Sequence, residues 1–173
     1  VANVKAAVSA GDMAKAQQLC DKQQGVVGNV VTASLKAYSE MENTPGLKKE
    51  QKVSKIQQAH EEATQLEMPT LQMNLPIIAT IVTLGTLTAL FGTVLGMIGS
   101  FQALAAGGGG DSMALSMGIS EALVNTAAGI ATSWVAVVAY NTYTNKIDKL
   151  TYALDEVGYT IAQTYDANHA DEA

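Results

Sequence analysis

From Met68 to Asn145 the chain runs for 78 residues without a lysine, and Asp111 and Glu121 are the only charges in that stretch. There is no arginine anywhere, so all ten cations are lysines lying outside it. Soluble domains carry charge at roughly a quarter of their positions. Here the fraction is 15% of 173 residues, and the deficit is concentrated in one place. That concentration excludes a simple soluble globule. The absence of a basic face also excludes nucleic-acid binding as the main task, because nothing is available to neutralise phosphates.

Two apolar runs inside the stretch read as membrane spans. Residues 75–106 are uncharged, and as a helix they reach ~48 Å at ~1.5 Å per residue. The hydrocarbon core needs only ~30 Å. Pro69 and Pro76 fall near the start, where a kink is tolerated. Gly107–Gly110 with Asp111 reads as a loop. Residues 112–145 form the second span, uncharged except for Glu121. Beyond it, Ile147, Leu150, Leu154, Val157 and Ile161 recur at intervals of three and four. This 3.5-residue seam predicts that the helix continues into water and packs on neighbours. The acidic tail from Asp166 is expected to fray.

The polar N-terminal region predicts short helices. Val4, Ala7 and Val8 have helical spacing, and Asp12 is a candidate N-cap for a helix over Met13–Cys20. Gly25 and Gly28 bracket a turn; Val30, Val31, Ser34, Leu35 and Tyr38 form the next stripe, and Asn43–Gly46 reads as another turn. Over residues 47–67, Val53, Ile56, Ala59, Ala63 and Leu66 mark an amphipathic helix that packs on other helices.

The expected fold is therefore an all-α integral membrane protein with long transmembrane helices extending into the cytoplasm and short cytoplasmic helices beside them. The divisions are a cytoplasmic region over 1–67, a span within 68–106, a periplasmic loop over 107–114, a span within 115–145, and a cytoplasmic extension over 146–173. Eight lysines precede the first span, two follow the second, and the intervening loop has none. By the positive-inside rule both ends are cytoplasmic.

The spans carry polar groups in register. Thr86, Thr93 and Ser100 are seven apart and share one face, while Gly85, Gly92 and Gly99 form an adjacent stripe. Gly92 and Gly96 are spaced for close helix approach; with Gly99, and Gly129 on the second span, they are the expected packing positions. The hydroxyls either bond back to the preceding turn or line a polar path. Glu121 is costlier: a charged group at the centre of a span costs about 2.5–3.5 kcal/mol, so it should face a bundle interior or water. Asn125, Ala128 and Thr132 lie within about 40° of it around the helix, with Thr126 and Ser133 flanking. A lone hairpin cannot hide such a face, which points to several copies or a partner helix enclosing it.

Leu90–Phe101, read as LFGTVLGMIGSF, resembles the signature of the MotA/TolQ/ExbB proton-channel family. Gly118–Gly129 (GISEALVNTAAG), followed by Ala136–Asn141, is similar to that family's last span, and the segment around Ala10–Met13 is similar to its cytoplasmic region. Within the family the arrangement looks most like ExbB. The resemblance implies three spans, the first falling before Val1, and a homopentamer in the inner membrane of a Gram-negative cell. It implies an ExbD-like single-span partner in the pore and a TonB-like protein that opens outer-membrane transporters at the expense of the proton gradient. Thr93 and Thr126 match the family's pore threonines and Glu121 its pore glutamate. Thr86, Asn125 and Thr132 complete the expected ion pathway. Where the family commonly has prolines, Thr86, Met117 and Val135 stand here, and Asn125 replaces a small apolar residue. Hydroxyl and carboxyl oxygens suit a hard cation such as sodium as well as a proton relay.

No nucleophile–base constellation and no phosphate loop emerge, so an enzyme is not expected. His60 and His169 lack a metal-ligand companion at i+4 and read as surface residues; neither a metal nor a cofactor is expected. Cys20 reads as a reduced thiol in a polar segment. Two alternatives to the import role stand beside it: a TolQ-like subunit serving outer-membrane integrity, and a membrane scaffold that conducts nothing.

Overall fold

A computed structural model describes residues 2–107 and 112–169, and among these the chain is helical without a strand. Six helices follow in order: α1 Ala2–Ser9, α2 Met13–Gln23, α3 Val26–Glu42, α4 Lys49–Gln72, α5 Leu75–Ala106 and α6 Ser112–Asn168. They divide into two compact units, Val1–Met73 with Lys146–Ala173, and Asn74–Asn145.

The first unit is a small helical bundle. Its core holds Val4 and Val8 of α1, Ala16 and Cys20 of α2, Val30, Val31, Leu35 and Tyr38 of α3, Ile56 of α4, and Leu154, Val157, Ile161 and Tyr165 of α6. Asp12 caps α2 by accepting from the Lys15 backbone N–H at 3.0 Å. Gly25 adopts φ +93° at the start of α3, a conformation that a side chain would strain. Gly28, expected at a turn, lies instead inside α3, where a Cβ would stand 3.0 Å from the Cys20 carbonyl oxygen. It is a contact glycine that lets α2 and α3 approach.

The expected stripe on α4 holds at Ile56, with Val53 and Ala63 packed against the core, but it shifts elsewhere. Lys52, Ile56, His60 and Thr64 are buried at intervals of four, whereas Leu66 is 80% exposed. At 100° per residue Leu66 sits roughly 100° from the centre of that stripe. His60, expected at the surface, is only 5% exposed, its imidazole bonded to Ser34 of α3. Cys20 is buried as well, and burial pushes its thiol pKa up, with the hydrogen bond to Thr32 acting the other way. On α6 the seam is buried at Leu154, Val157 and Ile161 and half-buried at Ile147 and Leu150. The expected fraying from Asp166 is not observed within the described residues: α6 is helical to Asn168. Tyr165 stacks on His169 and meets Tyr38 edge-on, Asn168 donates to the Tyr38 hydroxyl, and Lys49 pairs with Asp166 at 2.8 Å.

The second unit is the hairpin of α5 with the first part of α6. Both helices are long and apolar enough to cross a membrane. Leu84, Leu87, Phe91, Val124, Ile130 and Trp134 are all more than half exposed, apolar surface that needs lipid or protein around it. Two residues, Met73 and Asn74, separate α4 from α5. Pro76, in the first turn of α5, has no N–H to offer the Gln72 carbonyl, which accounts for the interruption there. Helix α4 runs to Gln72, and α6 starts at Ser112. Most of the loop expected over 107–114 lies outside the described residues.

Candidate functional site

The hairpin is zipped by small residues. A Cβ on Gly96 would stand 3.2 Å from that of Ala122, and one on Gly92 3.4 Å from Asn125 Nδ2. A Cβ on Gly129 would overlap Ala89, and one on Gly118 would overlap the Ser100 hydroxyl. Close backbone approach of this kind replaces hydrophobic burial as the means of helix association in lipid. Gly99 differs from the other expected packing positions, for nothing lies within 4 Å of its Cβ direction.

Hydroxyls bridge the zipped helices at two levels. Thr93 and Thr126 meet at 2.5 Å, and both oxygens also lie 3.2 Å from the Ala122 carbonyl. Thr93 in addition reaches the Ala89 carbonyl at 2.9 Å. Either threonine can donate to the other, because each has a carbonyl acceptor for a second arrangement of protons. Two turns away, Ser133 donates to the Val82 carbonyl at 2.8 Å, so Thr86 is the donor in its 2.8 Å bond to Ser133. Thr132 and Thr80 only bond back to their own helix, at 2.9 and 2.7 Å. The two possibilities for these hydroxyls therefore divide by position. Thr86, Thr93 and Thr126 join the helices, whereas Thr80 and Thr132 satisfy themselves locally.

Glu121 does not enter the hairpin interface. It is exposed, as are Asn125, Ala128 and Thr132, and the four make a polar, small-residue stripe along one side of α6. No described residue donates a hydrogen bond to its carboxylate. Asn125 lies beside Gly92, so the edge of this stripe touches the glycine face of α5. The structure thus divides the expected ion-pathway residues into two sets. Thr93, Thr126 and Thr86 are drawn into the seam, and Glu121, Asn125 and Thr132 are presented outward. Sequence reasoning placed Ser100 on the face of Thr86 and Thr93, and Ser133 beside Thr126, without assigning either a contact, and it left out Ala122. Prolines would be expected near Met117 and Val135 from the resemblance, yet α6 is unbroken through both. Among the described residues no His, Cys, Asp and Glu cluster could hold a metal ion.

Comparison with known proteins places this arrangement. The chain is 31% identical over 124 residues to the Tol-Pal system protein TolQ of Pseudomonas aeruginosa, covering 72% of this chain and 54% of that protein. The TolQ of Haemophilus influenzae is 26% identical over 134 residues, 76% of this chain and 59% of its own length. An ExbB-like biopolymer transport protein of Synechocystis is 34% identical over 87 residues, 49% and 41% of the two chains. The chain spans about half the length of the curated relatives it matches. The likeness to ExbB in particular is shared with TolQ, whose name two of these three relatives carry. The model of one family matches residues 22–156, a range that takes in the threonine pair, the outward carboxylate and most of both units, and the chain belongs to that family, the MotA/TolQ/ExbB proton channel family.

Proposed function

We propose that this chain is a channel-forming subunit of a bacterial inner-membrane complex that converts the proton gradient into mechanical work. Several copies, a pentamer by the family resemblance, set their Glu121 stripes around a shared central space. A single-span partner of the ExbD type occupies that space, and both ends of this chain face the cytoplasm. The observation that carries the proposal is the outward Glu121, without a hydrogen-bond partner among the described residues, on a hairpin whose exposed surface is rich in large apolar side chains. Left facing hydrocarbon, a charged residue there costs about 2.5–3.5 kcal/mol; facing a hydrated channel shared by copies, it is solvated and reaches protons.

The threonine seam and the carboxylate stripe have separate roles in this scheme. Thr93 and Thr126 hold α5 and α6 in register beside the path and offer a reversible pair of hydroxyls to a proton in transit. Glu121 takes the proton up, and Asn125 and Thr132 extend the polar surface along the same side. Glu121→Ala should abolish energised transport while the complex still assembles. Thr126→Val should do the same with a less tightly zipped hairpin. Full activity in both variants would favour a scaffold that conducts nothing.

The system served is read in two ways. The motif pattern favours delivery of the work to a TonB-like protein for outer-membrane import. The names of two relatives favour the Tol system and outer-membrane integrity. Deletion in the source cell decides between them, through lost uptake of iron chelates or through leakage of periplasmic contents.

A further inference from the structure

The helical bundle buries a titratable group that the channel does not use. His60 lies mid-way along α4 and is 95% shielded. Ser34 of α3 donates its hydroxyl proton to the Val30 carbonyl at 2.9 Å. Its oxygen, 2.8 Å from the ring, therefore accepts from His60 Nδ1–H. That assigns the neutral tautomer with a bare Nε2, and this nitrogen is buried without a hydrogen-bond partner. The Nε2–Cδ2 edge of the ring rests on Gly158 of α6, where even a methyl group would overlap it. A cavity of about 250 Å³ opens beside the ring, lined by Gln57 and Glu61 of α4 and by Asp155, Gly158 and Tyr159 of α6. From α3 the Ser34 hydroxyl bonds the ring.

This geometry has one stable protonation state. A neutral ring can press its edge against Gly158 at the cost of one unsatisfied acceptor, a smaller penalty than an unpaired buried charge. An imidazolium needs a partner for Nε2–H, and leaving it unpaired in the interior is costly. Among the described residues nothing bonds Nε2, while the carboxylates of Asp155 and Glu61 line the cavity beside the ring. Burial pulls the ring's pKa below the ordinary imidazole range, with Asp155 and Glu61 drawing it back up.

We propose that His60 is a proton-operated latch between α3, α4 and the distal part of α6: seated on Gly158 when neutral, and released from it when a proton from solvent binds Nε2 and turns that edge toward Asp155. The latch is independent of the channel reading and stands or falls separately from it.

Amide hydrogen exchange on the full chain in detergent or nanodiscs tests it, at about pH 8 and about pH 5.5 with intrinsic rates removed. In the wild type, protection of amides near Gly158 should fall on acidification. The fall should reach at most about tenfold, because pH 5.5 lies about one unit below the ordinary imidazole pKa of the released ring. His60→Asn keeps a donor for Ser34 but cannot titrate, so its protection should not depend on pH. Gly158→Ala unseats the ring and should lower protection at both pH values. Equal protection of the wild type at both pH values would overturn the latch, as would an acid-induced loss in His60→Asn matching the wild type. Should His60→Asn not fold, nitrogen chemical shifts of the wild-type imidazole decide. Protonation of Nε2 in step with exchange at Gly158 supports the latch, and a ring that titrates without any change there overturns it.

Discussion

Glycines seven residues apart on α5 do different work. Gly92 is pressed against Asn125, whereas Gly99 has open space in its Cβ direction. A tighter contact is on α6, where a side chain at Gly129 would run into Ala89 and the Gly85 carbonyl. Gly129→Val should therefore destabilise the hairpin by about 1–3 kcal/mol, the range for overpacking. Gly99→Ala should leave it within about 0.5 kcal/mol of the wild type. Reversible unfolding in mixed micelles measures both. Cys20 gives a second test. Buried, with its thiol pKa raised, it should resist alkylation near neutral pH in the folded chain and react readily in denaturant. Periodicity of apolar residues located Val30, Val31, Leu35 and Tyr38 in the core, because there the buried stripe is almost wholly apolar. It failed at His60, Lys52 and Thr64, where polar side chains fill the buried stripe and their partners come from distant elements. Ser34 lies 26 residues from His60 along the chain, a pairing that no local pattern encodes.

At the scale of elements, α6 does the most with the least variety. Its 57 residues serve first as one wall of the hairpin and then as a core helix of the bundle. The change of role was legible, since glycine, alanine and hydroxyl residues give way to a seam of leucine, valine and isoleucine. Ile161 is fully buried in that seam. Ile161→Ala should cost the bundle about 2–5 kcal/mol, as large-to-small core substitutions do, and thermal unfolding followed by circular dichroism would report it. The end of α6 was not legible. An acidic tail suggests fraying, but the stacking of Tyr165 on His169, the Lys49–Asp166 pair and the Asn168–Tyr38 bond are long-range contacts that hold the last turn. The break between α4 and α5 follows from Pro76 and its missing donor, whereas Pro69 is carried inside α4 without ending it.

For the whole molecule, the uncharged stretch settled the class of fold and the motifs settled the family, yet neither fixes how many copies surround a channel or which system they drive. Glu121 is exposed on the single chain, and energetics gives the reason to propose that a shared, hydrated interior covers it: a costly carboxylate seeks water. The proposed orientation in the bilayer, both ends cytoplasmic, rests on the positive-inside rule and is open to direct test. A cysteine placed at Ala106, in a Cys20→Ala background, should be labelled by an impermeant maleimide from the periplasmic side. One placed at the exposed Lys149 should be labelled only after the membrane is opened. The central claim is that the outward carboxylate carries protons through a space enclosed by several copies. Proton uptake into vesicles holding the assembled complex with its partner, driven by an imposed gradient, measures this most directly. The account predicts that Glu121→Gln reduces the flux to that of empty vesicles while the complex keeps its mass; flux undiminished by that substitution would contradict it.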